Sequence, residues 1–153
     1  MEITSSQYPH TAWRVPYIHS LFENAPAVAS GIDKALKVLK KREGVNLIVF
    51  GGDGASFDIG FQSLSGAIER GHKFLYVTTD NEAYANTGYQ RSGATPPYAN
   101  TSTTPVGKKS FGKLSPKKPL SLIIASHGVP FVASASLSNP LDLARKVKKA
   151  LSY

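Results

Sequence analysis

The chain contains no cysteine. Disulfides are excluded, and so are zinc or iron–sulfur sites held by cysteines of this chain. No apolar run is long enough to span a membrane as a helix. No signal-peptide pattern opens it; the first residues are polar and aromatic. The four histidines, His10, His19, His72 and His127, lack metal-ligand spacing. There is no G-x-S-x-G elbow for a hydrolase. Acidic residues are scarce, 10 against 18 Lys and Arg, which leaves a net charge of +8. Such a charge could suit nucleic acid. Most of the cations, however, fall on two amphipathic helices and one loop, around Lys34–Arg42, Arg145–Lys149 and Lys108–Lys118. No nucleic-acid module accompanies them. Solvated faces or acidic partners are the expectation, with a basic nucleic-acid-binding domain as the weaker alternative.

What is present is one domain's worth of chain, 153 residues with 41% hydrophobic content. The spacing predicts helices over Leu21–Arg42, Phe57–Arg70, Leu120–His127 and Asn139–Leu151. The first would start near Asn24, because Pro26 is tolerated only in a first turn. It would face inward with Val28, Ile32, Ala35, Leu36 and Leu39, and end at Gly44. On the second, Ile59, Leu64, Ala67 and Ile68 can face a sheet. Asp58 near its start reads as a cap. Asn139 before Pro140 reads as a cap followed by a first-turn proline. Continuous apolar runs at Val45–Phe50 and Phe74–Val77 suit buried parallel strands, the second strand spanning Lys73–Thr79, and Pro130–Ser134 reads as a third. Met1–His19 is a loop whose Tyr8, Trp13 and Tyr17 suggest packing. From Asp80 to Lys118 no period is visible, so a long functional loop is expected there.

Val45–Asn86 organises the rest. Each strand in it runs into a polar turn: Gly51, Gly52, Asp53 and Gly54 after the first, Asp80, Asn81 and Glu82 after the second. In an open α/β sheet, ligands bind beyond the carboxyl ends of parallel strands. Asp53 and Asn81 would then share one rim. A carboxylate and a carboxamide there offer oxygen ligands suited to Mg²⁺ or Ca²⁺. Flanking glycines let backbone N–H groups approach a phosphate. The combination implies a metal-bound diphosphate. A dinucleotide site is disfavoured, because Gly52-x-Gly54-x-x-Phe57 lacks the third glycine and Asp53 would repel a bare pyrophosphate.

GDG with a correctly spaced Asn resembles the thiamine diphosphate (TPP) motif. The longer strings DIGFQSLSGAIERGH, YVTTDNEAYANTGYQRSGATP and TTPVGK resemble the TPP-binding β subunit of pyruvate (2-oxoacid):ferredoxin oxidoreductases. So do YPHTAWRVPYIHSLFENAPAVASGI and IIASHGVPFVASASLSNPLDLARKVKKAL. The resemblance covers nearly the whole chain. It implies an α/β three-layer sandwich with a mostly parallel sheet, and residues 1–153 as a single TPP-binding domain with a cofactor and partner loop at about 80–118. It implies Mg²⁺ on Asp53, Asn81 and the carbonyl of Ala83. It places Gly52, Gly54, Ala55, Ala85 and Asn86 near the diphosphate. His19 is a further candidate, either on the diphosphate or as a buried structural histidine; Thr87, Gln90 and Arg91 are near enough to join.

The implied activity is oxidative decarboxylation of a 2-oxoacid, pyruvate by closeness of resemblance, through the TPP ylid. Coenzyme A takes the acyl group and ferredoxin the electrons, in a cytoplasmic hetero-oligomer. The glutamate that promotes ylid formation would come from a partner, the alpha subunit. Family β subunits are considerably longer and carry cysteine ligands for an iron–sulfur cluster. An excised TPP-binding core, or a reduced relative, inactive alone, is therefore the expectation. A non-catalytic assembly module of the same fold is the alternative.

Overall fold

The computed structural model describes residues 9–11 and 13–153. Tyr8 of the predicted aromatic cluster lies outside them. The order of elements is α1 (Ala25–Val38), β1 (Ile48–Gly52), a π-helical turn (Gly54–Asp58), α2 (Phe61–Glu69) and β2 (Leu75–Thr79). Two short pairs follow, β3 (Ala83–Tyr84) with β4 (Gln90–Arg91) and β5 (Val106–Gly107) with β6 (Ser110–Phe111). Helices α3 (Leu120–Ala125) and α4 (Pro140–Ala150) end the chain.

β1 and β2 are parallel, in register from Ile48↔Leu75 to Gly52↔Thr79. Helix α2 is the crossover between them, with Leu64 and Ala67 buried. Ile59, expected on that face, is exposed because it precedes the helix. α1 packs on both β1 and α2. The predicted α/β parallel architecture is thus present, although the described sheet is narrow.

Helix α1 begins as expected, with Asn24 at its N-cap and Pro26 in the first turn. It ends earlier than Gly44. Lys40 takes the left-handed conformation at φ 55°. The Lys41 N–H then reaches the Leu36 carbonyl at 2.9 Å and the Lys40 N–H the Lys37 carbonyl at 3.1 Å, a Schellman closure. Its buried face also differs from the apolar stripe. Ala29 and Asp33 face inward, while Ala35 and Leu39 are exposed. Asp33 is the reason. Its carboxylate is fully buried and receives Lys37 Nζ at 2.6 Å, Arg42 Nε at 2.6 Å and His72 Nδ1 at 3.0 Å. Arg42 also donates to the carbonyls of Val45 at 2.5 Å and Lys73 at 2.6 Å. One buried acid therefore ties the end of α1 to the starts of both strands. Burial alone would raise the Asp33 pKa; the bonds from Lys37, Arg42 and His72 outweigh it and hold the carboxyl well below the usual range.

Pro130–Ser134, read from the sequence as a third strand, joins no ladder. Its side chains and carbonyls are engaged by α4 instead. Phe131 stacks on Tyr153 at 5.8 Å, Lys149 lies over the Phe131 ring, and Lys146 donates to the Ser134 carbonyl. The α4 cap is as predicted, with Asn139 Oδ1 accepting from the Asp142 N–H at 3.1 Å. The long 80–118 stretch is not structureless. Its two hairpins, the Thr101↔Thr104 bridge and a small core of Phe57, Ala94 and Leu120 fold it back against the π-helical turn.

Candidate cofactor site

The last rung of the parallel ladder, Gly52↔Thr79, fixes where the two turns go. Asp53 follows Gly52 directly and Asn81 follows Thr79 by two residues. Both leave the sheet at the same rim, because parallel strands end on the same side. Asp53 is 4% exposed, while Asn81 is exposed.

The Asn81 amide reaches both Asp53 and Ala83. With its nitrogen inward it donates to Asp53 Oδ1 at 3.0 Å and to the Ala83 carbonyl at 2.7 Å. With its oxygen inward it accepts from the Ala83 N–H at 3.3 Å. Three oxygens, from a carboxylate, an amide and a peptide, then face one another across those same separations. A cation held octahedrally at about 2.0–2.1 Å sets adjacent ligand oxygens about 3 Å apart. The two separations from Asn81 match that spacing, and all three donors are hard oxygens that fit such a cation. Among the described residues no cluster of His, Cys, Asp or Glu offers a competing metal site.

Burial raises the Asp53 pKa, and the nearby Asp80 charge adds to this; the Ser92 hydroxyl works against it. Ser92 Oγ donates to Asp53 Oδ2. Ser92 is itself held by its N–H to Thr95 Oγ1 at 2.9 Å, and Thr95 Oγ1 donates onward to the Glu82 carbonyl at 2.5 Å. Ser92 and Thr95 thus couple the two turns. Neither was among the predicted site residues. The only signal is their Ser-x-x-Thr spacing in a loop. Glu82 is half exposed and shares Lys117 with Asp80, at 2.9 and 2.7 Å.

Asp58 does not cap α2; Gly60 occupies that position without a side-chain bond. A one-turn π-helix displaces the start of α2, so the Asp58 carboxylate points to the loop. It accepts from the Tyr84 hydroxyl at 3.0 Å, the Gly93 N–H at 2.8 Å and Lys118 Nζ at 3.2 Å. Burial, then the Asp58 carboxylate, push the Tyr84 pKa up to about 12, so its proton stays on. The Tyr84 ring lies where a side chain on Gly54 would be, 2.1 Å from the Cβ position. Gly54 therefore admits the tyrosine. Gly52 differs: a Cβ there would meet nothing within 4 Å.

The remaining candidates are less converged. Ala55 is buried inside the π-helical turn. Ala83 is buried; the Ala85 N–H donates to its carbonyl at 2.9 Å. Asn86 is exposed one residue further on. His19 is exposed ahead of α1, so it is not the buried structural histidine that was one of its two expected roles.

Residues 1–153 match the thiamine pyrophosphate enzyme family, C-terminal TPP binding domain. The chain is 57% identical over 150 residues to the pyruvate synthase subunit PorB of Methanothermobacter thermautotrophicus, covering 98% of this chain and 52% of the relative. It is 53% identical to the PorB of Thermotoga maritima, over 100% of this chain and 49% of that one. The ketoisovalerate oxidoreductase subunit VorB of Pyrococcus abyssi is 45% identical, over 97% and 49%. Among solved structures, a 2-oxoglutarate:ferredoxin oxidoreductase from Magnetococcus marinus, with 2-oxoglutarate, coenzyme A and succinyl-CoA bound, superposes with a TM-score of 0.75 at 29% identity. That match covers 88% of this chain and 43% of the other. The chain spans about half the length of the curated relatives it matches. The parallel ladder, the paired turns and these matches agree: the chain belongs to the thiamine pyrophosphate enzyme family, as the TPP-binding domain found in the β subunits of pyruvate (2-oxoacid):ferredoxin oxidoreductases.

Proposed function

We propose that this chain grips the diphosphate of TPP through a Mg²⁺ ion held by the side chains of Asp53 and Asn81 and the carbonyl of Ala83. The observation that carries the reading is the approach of Asn81 to Asp53 Oδ1 and the Ala83 carbonyl, at 3.0 and 2.7 Å. Mg²⁺ favours few protein ligands with phosphate oxygens completing its shell, which is what one carboxylate, one amide and one carbonyl leave room for. Gly52 adds a backbone surface with no side chain and no protein neighbour in front of it. Ala85 and Asn86 follow on the same loop, where Asn86 can reach a diphosphate oxygen.

Each residue has its own part. Ionised Asp53 supplies the charge that draws the cation, and Ser92 holds its second oxygen so that Oδ1 stays aimed. Tyr84 and Asp58 brace the loop after Ala83. When bound, TPP supplies the ylid chemistry that cleaves a 2-oxoacid. This chain binds and orients; the carboxylate that activates the cofactor belongs to a partner alpha subunit. The parent enzyme is a hetero-oligomer that oxidatively decarboxylates a 2-oxoacid, pyruvate above others, passing electrons through iron–sulfur clusters to ferredoxin and the acyl group to coenzyme A. Alone, the chain turns over nothing.

Calorimetry with Mg²⁺ and TPP on the assembled enzyme tests the reading. Asp53→Ala should abolish metal-dependent TPP binding. Equal affinity in the variant and the parent would overturn the assignment and leave a non-catalytic assembly module of the same fold.

A further inference from the structure

An open cleft lies beside the metal turns. It measures about 670 Å³ and is lined by Asp58, Tyr84, Thr87, Gln90, Arg91 and Thr103. This is a size typical of small-ligand sites. Arg91 sits on β4 directly across the ladder from Ala83, the carbonyl assigned to the cation. Its main-chain N–H is fixed by Thr103 Oγ1 at 3.0 Å. The next residue, Ser92, holds Asp53. The backbone of Arg91 is thus clamped from both sides.

The guanidinium is not. Among the described residues no carboxylate pairs with it and no acceptor takes its protons, whereas Asp33, Asp58, Asp80, Glu82 and Asp142 each have a lysine or arginine within 4 Å. Asp58, the one acid in the cleft, is already satisfied by Tyr84, Gly93 and Lys118. A second cation stands close by. Lys113 is 2% exposed, and among the described residues its ammonium meets only the neutral carbonyls of Thr95 at 2.5 Å and Pro116 at 2.9 Å. Burial, and after it the charge of Arg91, push the Lys113 pKa down. Two cations therefore bias this corner of the fold, and among the described residues no acceptor takes the protons of the Arg91 guanidinium.

We propose that the Arg91 cleft binds an oxyanion separate from the cofactor's diphosphate, on the guanidinium of Arg91 with the hydroxyl of Thr103 alongside. A guanidinium presents a planar fork of donors that matches carboxylate and phosphate oxygens two at a time. The Thr103 hydroxyl accepts the Arg91 N–H and keeps its own proton to donate, whereas Thr87 Oγ1 already donates to Gln90 Oε1. The choice of ligand rests on the function proposed above. That reaction brings two further anions to the site, the carboxylate of the 2-oxoacid and the phosphates of the acyl acceptor. Both share the chemistry the cleft offers.

The test uses the assembled oxidoreductase carrying Arg91→Ala and Arg91→Lys. Three probes are titrated: Mg–TPP, pyruvate, and adenosine 3′,5′-bisphosphate as the phosphate-bearing probe. Loss of a charge-assisted bidentate contact predicts a weakening of about 10- to 100-fold for one of the last two, partly restored in Arg91→Lys, with Mg–TPP affinity within about twofold of the parent. Selective loss of pyruvate identifies the carboxylate as the ligand; selective loss of the bisphosphate identifies the phosphate. Retention of both probes overturns the proposal. So does a matching loss of Mg–TPP, which would put Arg91 on the diphosphate. So does dissociation of the subunits in the variant, which would put it opposite a partner's acid. Asp53→Ala, measured in parallel, reads the cofactor assignment independently, so the two failures are distinguishable.

Discussion

The Ser92 hydroxyl donates to Oδ2 of Asp53, joining the turn after β1 to a loop 39 residues later. Asp53 therefore has one oxygen committed to the protein and one, Oδ1, facing Asn81. That division of labour makes the site testable residue by residue.

Removing the Ser92 hydroxyl should free Asp53 to rotate. Ser92→Ala is expected to weaken Mg–TPP binding by about tenfold, the value of one hydrogen bond to a charged group. Ser92→Thr should recover part of it. Calorimetry on the assembled enzyme measures both, and unaltered affinity in Ser92→Ala would dismiss the positioning role.

Asp53 carries a stability cost along with its charge. Its folded pKa is raised, so ionisation disfavours the native state above the unfolded carboxyl pKa of about 3.9. Asp53→Asn should therefore raise the melting temperature of the metal-free protein at pH 7, by the equivalent of about 1 kcal/mol, while losing the gain on adding Mg²⁺ and TPP that is expected of the parent. A scan with and without the two ligands checks it. A less stable Asp53→Asn would contradict the burial argument.

Asp33 has the opposite sign. Its folded pKa is lowered, so its contribution is present above about pH 3.9, the unfolded value, and fades as pH falls below that toward the folded pKa. Asp33→Asn should cost about 2–4 kcal/mol at pH 7, because Arg42 and His72, mostly buried, lose their acceptor. The difference between parent and variant should shrink in acid. Denaturant melts at pH 7 and at pH 3 supply the comparison.

Gly54→Ala would place a methyl 2.1 Å from the Tyr84 ring. Destabilisation of about 1–3 kcal/mol is expected from overpacking, together with displacement of the Ala83 carbonyl. Adding Tyr84→Ala should relieve the clash, giving a strongly non-additive double-mutant cycle. Simple additivity would mean that the two positions do not meet.

Lys117→Ala should change stability by less than about 1 kcal/mol, since its two acidic partners are solvent-accessible. A larger loss would mean that this lysine organises the Asn81 turn through Asp80 and Glu82.

Much of this arrangement was legible in the residues. The β-branched runs ending in GGDG and DNE gave both strands and their turns. Asn24, Pro26 and Asn139 marked helix starts correctly, because first-turn chemistry is local. Errors arose where distant groups set the outcome. An apolar stripe could not reveal that α1 buries Asp33, whose cations come partly from beyond the helix. Pro130–Ser134 has strand-like residues, yet α4 packs on it where a ladder would have. Asp58 had the position of a cap until the π-helical turn moved the start of α2.

The sequence by itself determined which oxygens are available and on which turns they lie, because strand runs, glycines and polar turn residues act over a few positions. Only the tertiary structure decided that Asp53 and Asn81 meet, that Ser92 and Thr95 lock the two turns, and that no carboxylate among the described residues pairs with Arg91. Those relationships depend on the register of one parallel ladder and on how a long loop folds back over it, which is set by packing between segments far apart along the chain.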